Sequence, residues 1–310
     1  MKHVLRVDQF DRPLLDQILA RSDQMRLTAE RGGDRRLAGR ILATVFYEPS
    51  TRTRLSFESA MMRLGGNVIS SEMAAETSSA AKGESIEDTV RIIESYADAI
   101  VFRHPQAGIV DQAASVASVP VINGGDGARE HPTQALLDLY SINREIGRID
   151  NLNVALVGDL KYGRAPRSLA MLLTRTEGAH IQLVSPPQLD LSDDVLSELD
   201  SAGVSYGVER DLAAAIASAD VVYVTRIQKE RFPSPEAFAE VEGTYQLTAD
   251  TARTMKPGSV ILHPLPRVDE IDPAVDALPQ AAYFRQARNG VYVRMALLNM
   301  LINRPDDLIA

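Results

Sequence analysis

The sequence predicts an α/β protein of two domains, each a mostly parallel sheet with helices on both faces. Three observations carry that expectation. Short apolar, β-branched runs recur at 41–46, 99–102, 119–122, 154–157, 181–184, 221–224 and 260–262, with helical patterns between them. Alternation of that kind packs as parallel strands covered by helices. A length of 310 residues, against about 150 per domain, gives two domains, each able to bury its own core. A hydrophobic content of 45% with 24% charged residues is that of an ordinary globular chain.

Taken in order, residues 41–46 read as a buried strand, and Leu55, Ser59, Met62 and Gly66 then fall on one stripe of a following helix. The stretch 70–84, rich in Ser, Ala and Glu, suits a mobile loop. Ile86, Val90, Ile93 and Ala97 share one helical face, which predicts a helix before the strand at 99–102. Residues 132–147 read as a long helix that opens with Pro132 in its first turn and ends near Gly147. It is expected to connect (132–148) a first domain of 1–131 to a second of 149–285. A last helix near 291–302 has no strand after it, so 286–310 is expected to return to the first domain.

Composition removes whole classes of function. Cysteine is absent, which excludes disulfides, thiolate catalysis and cysteine-ligated metals and is compatible with a reducing cytoplasm. Lys2, Arg6, Asp8 and Asp11 interrupt the N-terminus, so no signal peptide is expected. No apolar run approaches the roughly 18 residues of a membrane span. A net charge of -9 argues against nucleic-acid binding, which needs a basic surface. Basic motifs inside an acidic chain point instead to a focused site for small anions.

The densest such motif is Ser50-Thr51-Arg52-Thr53-Arg54, between the first strand and its helix. Free backbone N–H groups and the positive end of the helix dipole favour an anion there, and Arg52 offers a bidentate fork for phosphate. An ordinary N-cap at Ser50 or Thr51 with solvated arginines is the plainer alternative. Arg103 follows a strand end, and a surface ion pair is its plainer reading. His131 precedes Pro132 at a helix start, where the dipole disfavours imidazolium. Gly158-Asp159 follows a strand, but no G-x-G-x-x-G accompanies it, so nicotinamide binding is not expected.

Seven motifs in order, Ser50 to Arg54, Lys82-Gly83-Glu84, Arg103-His104-Pro105, His131-Pro132-Thr133-Gln134, Gly158 to Arg164, Arg226 to Glu230 and His263-Pro264-Leu265-Pro266-Arg267, resemble the aspartate/ornithine carbamoyltransferase family over nearly the whole chain. The resemblance implies a carbamoyl-phosphate domain, an aspartate domain and a homotrimer with active sites shared at subunit boundaries, without metal or cofactor, and the expected localisation is cytoplasmic. It implies attack of the L-aspartate amine on the carbonyl carbon of carbamoyl phosphate, in pyrimidine biosynthesis. Ser50, Thr51, Arg52 and Thr53 then hold the phosphate, Arg103 touches phosphate and carbonyl, a neutral His131 donates to the carbonyl oxygen, and Gln134 accepts from the carbamoyl nitrogen. Lys82 reaches a neighbouring subunit's site together with Ser78, although the register leaves Ser79 open. Glu48 orients arginines. A regulatory chain or a dihydroorotase partner is left open.

The second substrate separates the family's branches. Aspartate brings two carboxylates that need cationic forks, whereas ornithine brings a distal ammonium that needs a carboxylate. Arg164 and Arg226 follow two strands of one sheet and are placed to bracket a dicarboxylate, with Gln228 beside Arg226. The family's use of 263–267 is to aim the Pro264 and Leu265 carbonyls at the aspartate amine. Ornithine-specific relatives usually carry cysteine after this histidine, where Pro264 stands here. A carbamoyltransferase for another acceptor and a non-catalytic scaffold are the competing readings. Lys229 and Glu230 are expected to serve loop or interdomain contacts.

Overall fold

A computed structural model describes residues 1–72, 83–229, 232 and 234–303. The chain divides into one unit of residues 1–133 with the segment from 288 on, and a second of 134–287.

The first unit is built on Ile41–Phe46 (β1), Asn67–Glu72 (β2), Ala99–His104 (β3) and Val121–Asp126 (β4), all parallel, in the order β2-β1-β3-β4. Around them lie Arg12–Glu30 (α1), Thr51–Arg63 (α2), Ile86–Glu94 (α3) and Ile109–Val116 (α4). Asp11 caps α1 by accepting from the Leu14 N–H, a standard N-cap. Val90, Ile100, Phe102 and Val121, none of them exposed, form one core, against which Ile86 and Ile93 pack, as the periodicity of α3 predicts.

One expectation fails on α2. Its buried side is Thr53, Phe57, Ala60 and Met61, while Leu55 and Met62 of the expected stripe are 49% and 60% exposed. The amphipathic pattern is ambiguous there because apolar residues occupy both faces, and Phe57 fills the core. The loop expected from residue 70 is also shortened, because β2 runs to Glu72; residues 73–82 lie outside the described residues.

Pro132–Ile146 (α5) carries the chain into the second unit and stops before Gly147, at φ 84°, a left-handed position that glycine adopts without strain. The second sheet comprises Asn153–Val157 (β5), His180–Val184 (β6), Ser205–Val208 (β7), Val221–Val224 (β8) and Val260–Leu262 (β9), parallel in the order β7-β6-β5-β8-β9. Its helices are Arg164–Leu173 (α6), Asp193–Ser201 (α7), Leu212–Ser218 (α8), Pro235–Ala239 (α9) and Ala249–Arg253 (α10). Tyr283–Ile302 (α11) then leads back to the first unit, starting well before the expected 291.

Both sheets reverse their winding at one strand: β1 lies between β2 and β3, and β5 between β6 and β8. Beyond the carboxyl ends of strands flanking such a reversal, loops splay apart and leave a crevice for a ligand.

Candidate active site

In the first unit, the segments that leave β1 and β3 meet this condition. Phe46 pairs with Arg103 across the two strand ends, so α2 and Arg103 begin at the same edge. Ser50 occupies the N-cap of α2 but makes no side-chain capping bond, and Thr51 to Thr53 form the first turn. The plain capping role therefore does not occupy the Ser50 hydroxyl. Thr53 is buried, with its Oγ1 3.3 Å from Nε2 of the buried His131.

Arg103 is held from two sides. Its Nη2 lies 2.7 Å from Glu48 Oε1, and its Nη1 donates to the Gly124 carbonyl at 3.0 Å. Glu48 thus orients an arginine, as expected. Arg54, although inside the motif, is spent on Glu58 at 3.3 Å and Glu72 at 3.0 Å. Sequence reasoning missed Arg294 of α11, only 3% exposed. It donates to Ser56 Oγ at 2.8 Å and to Thr133 Oγ1 at 3.4 Å, and stacks over Phe57 with its guanidinium carbon 4.9 Å from the ring centre. It braces α2 from behind.

In the second unit, Arg164 opens α6 beyond β5, and Arg226 follows β8. These strands are neighbours, with Val157 opposite Val224. Asp159, which is not exposed at all, ties both segments down. Its Oδ1 accepts from the Tyr162 N–H at 2.8 Å and its Oδ2 from the Gln228 N–H at 3.3 Å. Burial pushes its carboxyl up, countered in part by these backbone donors and by the charge of Arg226. Gly158, at φ 110°, lets the two loops touch: a Cβ there would lie 2.2 Å from the Thr225 carbonyl oxygen. Asp159 was missed as a site residue because its role is visible only once β8 lies beside β5.

Gln134, in the first turn of α5, donates from Nε2 to Asp138 Oδ1 at 2.8 Å. A carboxylate only accepts, so the amide nitrogen must face it and the carbonyl oxygen is turned the other way. The segment after β9 is equally fixed. Leu265 donates its N–H to His263 Nδ1 at 2.7 Å, so the proton of this neutral ring sits on Nε2, which donates to Glu270 Oε1 at 2.6 Å. Glu270 Oε2 also accepts from the N–H groups of Val268 and Asp269, both at 3.1 Å. These bonds hold Leu265 at φ 56°, a left-handed conformation that costs a branched residue energy. Arg267 is not available to a substrate: it pairs with Asp276 and packs over the Tyr283 ring at 5.2 Å. Lys229 sits over the Phe238 ring at 5.4 Å, a loop contact.

Ser78, Ser79, Lys82 and Glu230 lie outside the described residues. Among the described residues there is no group of three or more His, Asp or Glu side chains that could hold a metal ion, and no helix is long and apolar enough to cross a membrane.

Comparison with known proteins agrees with this geometry. Residues 2–144 match the model of the aspartate/ornithine carbamoyltransferase carbamoyl-P binding domain, and residues 150–301 match that of the Asp/Orn binding domain. The chain is 53% identical over 302 residues to the aspartate carbamoyltransferase catalytic subunit of Methanopyrus kandleri, covering 97% of each. It is 49% identical to the chloroplastic aspartate carbamoyltransferase of Arabidopsis thaliana, over 97% of this chain and 78% of that one. Its fold is similar to the catalytic subunit of M. jannaschii aspartate transcarbamoylase (TM-score 0.91, 48% identity, 99% of each chain). It is similar as well to the Trypanosoma cruzi enzyme in complex with carbamoyl phosphate and aspartate (TM-score 0.91, 40% identity, 96% of this chain and 95% of that one). With both halves matched in order and both sheets wound alike, the chain belongs to the aspartate/ornithine carbamoyltransferase family.

Proposed function

We propose that this chain transfers the carbamoyl group of carbamoyl phosphate to the amine of L-aspartate, giving N-carbamoyl-L-aspartate and phosphate, a step of pyrimidine biosynthesis. The observation that carries the aspartate assignment is the pair Arg164 and Arg226 beyond neighbouring strand ends, with Asp159 fixing the segments that bear them. Two guanidinium forks suit two carboxylates and repel the distal ammonium of ornithine.

The amine attacks the carbonyl carbon, the new C–N bond forms, and the C–O bond to phosphate breaks, with the amine proton leaving toward the departing phosphate or solvent. Carbamoyl phosphate is already activated, so the protein's task is to orient the reactants and stabilise charge on the carbonyl oxygen and the leaving group. Ser50, Thr51, Arg52 and Thr53 hold the phosphate with the first-turn amides of α2. Arg103 spans phosphate and carbonyl, and His131 donates to the carbonyl oxygen; removing one such donor costs roughly 3–4 kcal/mol of barrier. Gln134 accepts from the carbamoyl nitrogen through the oxygen that Asp138 turns away from itself. Gln228 joins Arg226, and the Pro264 and Leu265 carbonyls take the amine. Lys82 and Ser78 come from a neighbouring subunit of a homotrimer. The exposed Leu55 and Met62 of α2 and Ile69 of β2 support an assembly that covers them. A cytoplasmic setting fits a chain with no cysteine.

The experiment is carbamoylation of aspartate and of ornithine by the purified chain with saturating carbamoyl phosphate. Turnover of aspartate alone is expected. Turnover of ornithine would overturn the assignment of Arg164 and Arg226, and turnover of neither would favour the scaffold reading.

A further inference from the structure

Asp138 lies outside every motif named above, yet it is fully buried, with none of its surface exposed. Three donors converge on it. Gln134 Nε2 reaches its Oδ1 at 2.8 Å, Gln286 Nε2 reaches the same oxygen at 2.6 Å, and the Tyr223 hydroxyl reaches its Oδ2 at 2.8 Å. Because the carboxylate can only accept, it fixes which end of each glutamine faces it. The far end of Gln286, its Oε1, accepts the His263 N–H at 2.8 Å. His263 in turn takes the Leu265 N–H on Nδ1 at 2.7 Å. One carboxylate therefore orients the Gln134 amide directly and the 263–265 backbone through Gln286.

We propose that Asp138 is a positioning residue that sets both the hydrogen-bonding polarity of Gln134 and the placement of the Pro264 and Leu265 carbonyls. This rests on the carbamoyl-transfer reading, in which Gln134 addresses the carbamoyl nitrogen and the two carbonyls address the aspartate amine. Burial strengthens each of the three bonds and makes a lost partner costly. The Tyr223 phenol is pushed well above its ordinary value, by burial first and by the charge of Asp138 second, so it stays a donor across the working pH range. Phosphate recognition by residues 50–53 does not pass through Asp138. Loss of Asp138 therefore has a signature that a general loosening of the fold lacks: electrophile activation and amine placement suffer, and phosphate binding does not.

The test compares Asp138→Ala, Asp138→Asn and Gln286→Leu with the wild type, each with and without Gln134→Ala. The readouts are kcat, the aspartate KM and the Kd of inorganic phosphate. Asp138→Ala is expected to lower kcat on the order of 10²-fold, the scale of a misplaced catalytic group, and to raise the aspartate KM, with phosphate Kd within about twofold of wild type. Asp138→Asn keeps one oxygen for the two glutamines and turns its amide to Tyr223, whose hydroxyl reverses to accept; most of kcat is expected to return. Gln286→Leu, which leaves Gln134 tied, is expected to raise the aspartate KM more than it lowers kcat, and it carries the test if Asp138→Ala does not fold. In the Gln134→Ala background the kcat effect of Asp138→Ala should fall to the smaller one that Gln286→Leu shows, because only the Gln286 arm is then left to lose. Additive kcat losses, equal loss in the asparagine variant, or phosphate binding lost in step with kcat would each overturn the proposal. Wild-type chain that fails to carbamoylate aspartate would instead overturn the function on which it rests.

Discussion

In the proposed reaction, Arg226 is where a single truncation should separate the two substrates most cleanly. It follows β8, and Gln228 two residues on is held by the buried Asp159, so the segment stays in place when the guanidinium is removed. Loss of a charge-assisted pair costs about 1.5–3 kcal/mol, or roughly 10- to 100-fold in binding. Arg226→Ala is expected to raise the aspartate KM by that factor and leave the affinity for carbamoyl phosphate unchanged. Steady-state kinetics with each substrate varied in turn checks this, and an unchanged aspartate dependence would remove Arg226 from the site. The placement of Arg164 and Arg226 beyond neighbouring strand ends was legible in the sequence, because each follows an apolar, β-branched run. The residues that aim them were not. Asp159 and Gln228 are 69 positions apart in the chain, and a buried carboxylate whose partners are backbone amides leaves no side-chain pattern to find.

At the scale of elements, the buried strands were readable because they are apolar and β-branched, the edge strands β4 and β9 among them, and the edge strands β2 and β7 were not. β2 reads exposed or half-buried along its whole length, and so does β7, so neither shows the buried run by which the others were found. The loop after β9 was legible as a stiff His-Pro-Leu-Pro segment, but its clamp, Glu270, was not. Burial pushes that carboxyl up, and the bonds from His263 and from the backbone outweigh it, so the group lies below its usual range. A depressed carboxyl contributes stability that is complete above its unfolded value, near 4.5, and is lost as the pH falls through the folded value. Glu270→Gln sets an amide against three N–H donors and is expected to cost about 1–3 kcal/mol at pH 7. The difference from wild type should shrink below about pH 4.5. Urea unfolding of both proteins at pH 7 and pH 4 measures it, and a cost that does not change with pH would show that the ionised clamp is not its source.

On the scale of the whole molecule, the reversed face of α2 has a consequence for assembly. Phe57 and Met61 turn inward, so Leu55 and Met62, both about half exposed or more, face outward, and Ile69 on β2 is 40% exposed. The proposed homotrimer would cover such side chains, and in a ring of identical subunits each meets the next through two different faces. Such a ring allows Lys82 of one subunit to complete the phosphate site of another. Arg52→Ala and Lys82→Ala chains should each be nearly inactive alone, since every site lacks one of the two cations. When they are unfolded together, mixed in equal amounts and refolded, a native site forms wherever a subunit with intact Arg52 receives the loop of one with intact Lys82. Random assembly places such a pair at about one half times one half of the junctions, so about a quarter of wild-type activity should return. If the loop served its own subunit's site, every site would still carry one of the two substitutions, and mixing would restore nothing beyond either parent.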